Sequence, residues 1–160
     1  MVKKKFEKIC IIGMPGSGKS TIGRALSDYL KFGFYDTDEQ IEIESQSKIK
    51  DIFNKEGEER FRKLERSIFK KLILKKKIVV STGGGIILKN KDLLKKTFNI
   101  YLKCDLETLI KRTSRNKNRP LLKNNVEKNI KILFNNRKEI YNEASDFTIN
   151  ATSNTQKTIK

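Results

Sequence analysis

The 160-residue chain contains no histidine, no tryptophan and only two cysteines, Cys10 and Cys104. Each cysteine lies in an apolar, strand-like segment with no second thiol nearby and no imidazole anywhere to help bind a metal. A disulfide or a metal site built on them is therefore not expected; buried, reduced thiols of a cytoplasmic protein are. Long hydrophobic runs are missing as well. No stretch approaches the roughly 20 apolar residues of a membrane span. The opening "MVKKKFEK" leads into an apolar run too short for a signal peptide. With two prolines, the chain has no proline-rich linker, and it shows neither a serine-rich linker nor an internal repeat. At 36% hydrophobic and 34% charged residues, residues 1–160 read as one domain long enough to bury a core.

Acidic residues are also scarce: 19 Asp+Glu stand against 36 Lys+Arg, a net charge of +17. A basic surface invites anionic partners, nucleic acid among them. Yet 28 of the 36 cations are lysines scattered from Lys3 to Lys160, and the few aromatic residues do not alternate with them as a single-strand stacking surface requires. They read as solvated charge, so neither nucleic acid nor a membrane is expected as a partner, and the chain is expected to be a monomer. The eight arginines carry more positional information.

Strand-like runs fall at 8–12, 33–35, 78–81, 99–102 and 147–150, and helical periodicity at 19–31, 59–74, 106–113 and 127–141. In the second of these helices Phe61, Leu64, Ile68 and Leu72 form an apolar stripe with charges on the other faces. This alternation predicts an α/β fold, a parallel sheet flanked by helices. Residues 114–125, "SRNKNRPLLKNN", are polar and turn-rich and read as a mobile loop.

The stretch "GMPGSGKST", Gly13 to Thr21, follows the first strand and opens the first helix. It fits G-x-x-x-x-G-K-[ST] in the context that motif requires. Glycines let successive N–H groups converge on an anion, and the helix N-terminus adds its positive dipole. Gly16, Ser17, Gly18, Lys19, Ser20 and Thr21 are thus candidate nucleotide ligands, with Lys19 on the β- and γ-phosphates and Ser20 on Mg²⁺.

The acceptor must be sought elsewhere. "FYDTDEQIE" places Asp36 and Asp38 at a strand end, where i and i+2 on an extended chain project to one side. One could support Mg²⁺ and the other hold a substrate hydroxyl, or both could cap the next helix. In "GEERFRKLE", Arg62 and Glu65 stand one turn apart, compatible with an ordinary exposed ion pair. "STGGG", Ser81 to Gly85, implies close approach by something and backbone donors for a polar group. Arg119 lies in "NRP", within the polar loop.

The ordered set "DTD", "GEERFRKLE", "STGGG", "NRPLL" and "NRKEIYNEA" resembles the shikimate kinase family over nearly the whole chain. The resemblance implies transfer of the γ-phosphate of ATP to the 3-hydroxyl of shikimate, a step of aromatic amino-acid biosynthesis. It implies the small-molecule kinase version of the phosphate-loop fold: a five-stranded parallel sheet, a substrate-binding region at about 36–65 and a lid at about 114–125. It assigns shikimate contacts to Asp38, Arg62, Arg137 and the Gly83, Gly84 and Gly85 backbone, with Arg62 and Arg137 clamping the carboxylate. Asp38 would hold the substrate hydroxyls and serve as the base. Asp36 matches the Mg²⁺-supporting acid and Ser20 its direct ligand. Arg119 matches the lid arginine that neutralises the transferring phosphoryl group, and Arg112 the arginine that packs on adenine. A kinase of another small acceptor, gluconate or a nucleoside monophosphate, shares the fold expectation. A nucleic-acid-dependent ATPase is the alternative from a different class, motivated by the +17 charge.

Overall fold

The computed structural model describes residues 6–115 and 125–153. Five strands, β1 (Lys8–Ile12), β2 (Gly33–Asp36), β3 (Ile78–Ser81), β4 (Phe98–Lys103) and β5 (Phe147–Asn150), form one sheet in the order β2-β3-β1-β4-β5. Each neighbouring pair is parallel. Parallel neighbours need crossovers, and these contain α1 (Lys19–Leu30), α2 (Thr37–Ser45), α3 (Ile49–Leu72), α4 (Ile86–Lys89), α5 (Lys91–Leu94), α6 (Leu106–Ser114) and α7 (Val126–Ala144).

The central strands are apolar on both sides because both sheet faces are covered. Cys10, Ile12, Val80 and Tyr101 join one core with Phe61, Ile68, Leu72, Ile130 and Tyr141 from α3 and α7. Ile9, Ile11, Val79, Ile100 and Leu102 point the other way, into a smaller core with Ile22 of α1. Both cysteines are free and buried, and burial pushes the Cys10 thiol up to about 12.

The expected strands and helices are present, with two kinds of difference: one helix starts early, and three helices, α2 and the four-residue α4 and α5, were not expected. Helix α3 begins ten residues before the expected 59, at Ile49, and breaks at Gly57, whose φ of 82° and ψ of 173° are not helical. Its apolar stripe behaves as expected: Phe61, Ile68 and Leu72 are buried and Leu64 packs against them. Helix α2 was not anticipated. It buries only Thr37 and Ile41 and leaves Ile43 63% exposed, so it lacks the apolar stripe from which a helix is read. The Asp36 cap starts it instead.

Candidate active site

The carboxyl ends of β1, β2 and β3, side by side in the sheet, open on one crevice, as open parallel sheets generally do. At the end of β1 the chain runs through residues 13–18 into α1. Gly16 (φ 86°) and Gly18 (φ 90°) take left-handed conformations that suit glycine. Gly16 also lacks room for a side chain, since a Cβ there would lie 2.8 Å from Cγ2 of Thr113 in α6. Helix α1 has no side-chain cap and no acid in its first turn. Its N-terminal N–H groups and positive dipole thus face an anion site. Lys19 is only 8% exposed and folds back over the loop, donating from Nζ to the carbonyls of Gly13 (2.9 Å) and Met14 (2.8 Å). It is a buried part of the loop, its ammonium held at the loop's own carbonyls.

The strand ladder sets Asp36 opposite Ser81, and both approach Ser20. Ser20 Oγ donates to Asp36 Oδ2 at 2.6 Å and lies 3.2 Å from Ser81 Oγ. The other Asp36 oxygen, Oδ1, caps α2 by accepting from the N–H groups of Asp38 (2.9 Å) and Glu39 (3.2 Å). The extended i, i+2 geometry expected for Asp36 and Asp38 is therefore wrong. The chain turns helical at Thr37 because Asp36 caps it, and Asp36 both caps and faces the phosphate-loop serine. The donors around Ser20 are hydroxyl and carboxylate oxygens only, which suits Mg²⁺. Among the described residues no three His, Cys, Asp or Glu side chains cluster as a metal cage.

Beyond β3 the glycine turn supplies space rather than unusual dihedrals: Gly83, Gly84 and Gly85 all lie outside the positive-φ region. A Cβ on Gly83 would sit 2.8 Å from Asp38 Oδ1 and 3.0 Å from Glu65 Oε2. On Gly84 it would sit 2.8 Å from the Pro15 ring of the phosphate loop, and on Gly85 it would overlap the Arg62 guanidinium. The Gly83 N–H donates to Thr37 Oγ1 at 2.9 Å. One short turn therefore touches Thr37 and Asp38 of α2, the phosphate loop, and Arg62 and Glu65 of α3.

Arg62 and Glu65 are not an exposed pair. Arg62 Nη1 donates to Glu65 Oε1 at 2.8 Å, with the side chains 9% and 0% exposed. The stripe that buries Phe61 and Ile68 also turns this face of α3 inward. Nη2 and Nε of Arg62 reach Glu58 Oε1 at 3.2 and 3.4 Å, so a half-exposed carboxylate already rests on the fork. Burial pushes the Glu65 carboxyl up to about 7; Arg62 and Arg137 oppose the rise and Asp38 adds to it. Arg137 is 4% exposed and Tyr141, one turn later on α7, is fully buried. The Tyr141 hydroxyl donates to the Gly84 carbonyl.

The structure thus gathers Lys19, Ser20, Asp36, Asp38, Gly83 and Gly84 around one cavity of about 250 Å³. Arg62 and Arg137, with Glu65, lie on the α3 and α7 side of the same turn. Arg112 is set apart, on the other side of the phosphate loop, donating to the carbonyls of Gly16 (3.4 Å) and Ser153 (3.3 Å). Arg119 and most of the expected lid lie outside the described residues. A second cavity of about 270 Å³, bordered by Lys91, Asn99 and Asp146, opens at the amino-terminal end of β4. Asn99 is used up internally, bonding Leu94, Thr97 and Ala144, and no anion-binding loop is near. Ser81, Glu58 and Tyr141 were not singled out from the sequence. Only Tyr141 had a readable signal, its i+4 spacing from Arg137 on one helix face.

A family model described as shikimate kinase matches residues 15–160. A shikimate kinase of Clostridium botulinum (strain ATCC 19397 / Type A) is 47% identical over 150 residues, covering 91% of this chain and 88% of that protein. One from Persephonella marina is 45% identical over 142 residues, covering 87% and 86%. The solved structure of shikimate kinase from Acinetobacter baumannii in complex with shikimate superposes with a TM-score of 0.91 at 36% identity, covering 96% of this chain and 88% of that one. Matched along nearly its whole length by family model, sequence and structure alike, the chain belongs to the shikimate kinase family.

Proposed function

We propose that residues 1–160 form a single kinase domain that transfers the γ-phosphate of ATP to the 3-hydroxyl of shikimate, giving shikimate 3-phosphate and ADP. The carrying observation is the glycine turn, which packs on the phosphate loop through Gly84 and on Arg62 through Gly85. An acceptor seated on that turn has the phosphate site on one flank and buried cations on the other.

Each residue has a task on this reading. The backbone from Gly16 to Thr21 cradles the triphosphate, and Lys19 leaves the Gly13 and Met14 carbonyls for the β- and γ-phosphates. Ser20 and Asp36 would hold Mg²⁺, which when bound offsets charge on the phosphate oxygens. Arg62 and Arg137 receive the shikimate carboxylate with planar forks, against the backbone of Gly83 to Gly85, where Thr37 Oγ1 holds the Gly83 N–H. To seat there, the carboxylate displaces Glu58 from Arg62 or uses its remaining N–H groups. Asp38 holds the substrate hydroxyls beside Gly83. A loose phosphoryl-transfer transition state asks mostly for position and charge, so Asp38 need only orient the hydroxyl and accept its proton late. Arg112, from its seat against Gly16, packs on adenine, and Arg119 acts on the transferring group from the lid at 114–125. We assign a monomer acting in the cytoplasm; no described helix is long and apolar enough to cross a membrane.

The test is ADP release with shikimate, gluconate, a nucleoside monophosphate and DNA offered in turn. Release stoichiometric with shikimate alone is expected. Equal turnover with gluconate or a nucleoside monophosphate, or stimulation by DNA, overturns the reading.

A further inference from the structure

Tyr141 occupies an unusual position for a core aromatic. Its ring is fully buried and stacks on Tyr101 of β4, centroids 5.2 Å apart and planes 22° from parallel. Packing of the ring is therefore settled without the hydroxyl. The hydroxyl does something separate: it donates to the Gly84 carbonyl, with the Arg137 guanidinium, one turn earlier on α7, standing beside it as a favourable charge. Gly84 is the residue whose open side rests on Pro15 of the phosphate loop. One oxygen atom thus ties α7, the helix that carries Arg137, to the glycine turn after β3 and, through that turn, to the loop after β1.

We propose that Tyr141 is a positioning residue for the acceptor: its hydroxyl sets the distance between Arg137 and the Gly83–Gly85 backbone, the two sources of donors on opposite sides of the substrate carboxylate. This rests on the carboxylate reading above. Two donor groups on different elements recognise a carboxylate only if their spacing is held to a fraction of an ångström. Arg137 reaches in from a helix 19 residues long, whereas the turn hangs from a four-residue strand. Nothing in the ring stack would keep those two elements in register, and a hydrogen bond shared by both does. Tyr141 touches no substrate on this account; it acts through Arg137 and Gly84.

Tyr141→Phe separates the two parts of the side chain, keeping the stack and removing the oxygen. The expected result is a KM for shikimate raised about five- to tenfold, the scale of one lost neutral hydrogen bond. The kcat should stay within about twofold and the KM for ATP should not move. The carboxylate-specific readout is binding of a shikimate analogue lacking the carboxylate, which should be as tight to Tyr141→Phe as to the wild type. Tyr101→Phe, on the other side of the stack, should leave both ligands unaffected, and thermal melting confirms that each variant is folded. Equal weakening of shikimate and the analogue by Tyr141→Phe makes the hydroxyl a structural bond only and overturns the proposal. If the wild type itself binds both ligands alike, the carboxylate clamp is what fails, and the proposal falls with it by a distinguishable route.

Discussion

Arg62 Nη1 and Glu65 Oε1 meet at 2.8 Å in the interior, on adjacent turns of one helix. The second Glu65 oxygen takes no hydrogen bond among the described residues, and it faces the same glycine as Asp38 Oδ1. Burial and the nearby Asp38 carboxylate favour the protonated form, Arg62 and Arg137 the charged one, and the balance sits at about 7. Stability follows from linkage. Between the ordinary value of 4.5 and about 7 the folded state keeps a proton that the unfolded chain has lost, so stability falls as pH rises through that window. Glu65→Gln cannot titrate. The stability of the wild type relative to Glu65→Gln should therefore decline between pH 4.5 and 8, by on the order of 2–3 kcal/mol. Urea unfolding of both proteins across that range decides it; parallel curves, or a wild type that gains on the variant as pH rises, would mean that Glu65 stays charged throughout.

The glycine turn offers a contrast between two neighbouring positions. Gly85→Ala places a methyl where the Arg62 guanidinium lies, the movable end of a long side chain, and the backbone there (φ −93°, ψ 3°) accepts alanine. Arg62 should swing aside and give up its buried partner Glu65. Thermal melting should therefore drop by about 6–12 °C, the cost of an unpaired buried charge, while the KM for shikimate rises more than about tenfold, the cost of a charged hydrogen bond. Gly84→Ala instead meets the Pro15 ring at 2.8 Å. A proline ring in a phosphate loop cannot step aside, so this variant should weaken ATP binding as well as shikimate binding. If both alanines affect only shikimate, Gly84 is not what seats the turn on the phosphate loop.

The legibility of this chain was uneven for physical reasons. The sheet could be read because strands buried on both faces need unbroken apolar runs such as Ile9 to Ile12 and Ile78 to Val80. The phosphate loop could be read because its left-handed glycines and its lysine sit at fixed spacing. Helix α2 escaped because it is started by a cap and has almost no apolar stripe. The role of Glu65 escaped because an i, i+3 ion pair looks the same whether water or protein surrounds it. Burial of Arg62, Glu65 and Arg137 comes from α3 and α7 closing over one turn, a relation between residues some 75 positions apart that no local pattern carries. The three glycines announced a close approach, but which neighbour each one admits is a property of the assembled site.

Lys19 gives a prediction at the phosphate side. Two of its hydrogen bonds go to carbonyls of its own loop, and Lys19→Met keeps the buried stem and removes the charge. Turnover should fall by at least about 10²–10³, the scale for one lost charge-stabilising donor. The fold should lose only about 1–2 kcal/mol, since the freed carbonyls lie at a cavity where water can reach them. Single-turnover phosphoryl transfer and thermal melting together check this. Near-normal transfer by a folded Lys19→Met protein would remove the lysine from the chemistry.

The two arginines of the acceptor side should respond differently to the same conservative change. Replacing either with lysine keeps one charge and loses the planar fork. Arg62→Lys and Arg137→Lys should each weaken shikimate binding by about 1.5–3 kcal/mol, the range for hydrogen bonds to charged groups, with ATP affinity barely changed. Their effects should combine to less than the sum, because both act on one carboxylate. Stability separates them. Arg62 also satisfies Glu65, a fully buried acid, and Glu58. A lysine at 62 cannot reach both in the same geometry, and a poorly paired buried charge costs about 3 kcal/mol or more. Glu65 can escape part of that cost by taking a proton, so the loss at Arg62→Lys should be larger at pH 8 than at pH 5. Arg137→Lys, whose neighbour is the neutral Tyr141 hydroxyl as well as Glu65, should show a smaller loss with weaker pH dependence. Isothermal titration with shikimate and urea unfolding at the two pH values measure both halves. Equal, pH-independent destabilisation by the two variants would show that Arg62 and Glu65 do not depend on one another inside the fold.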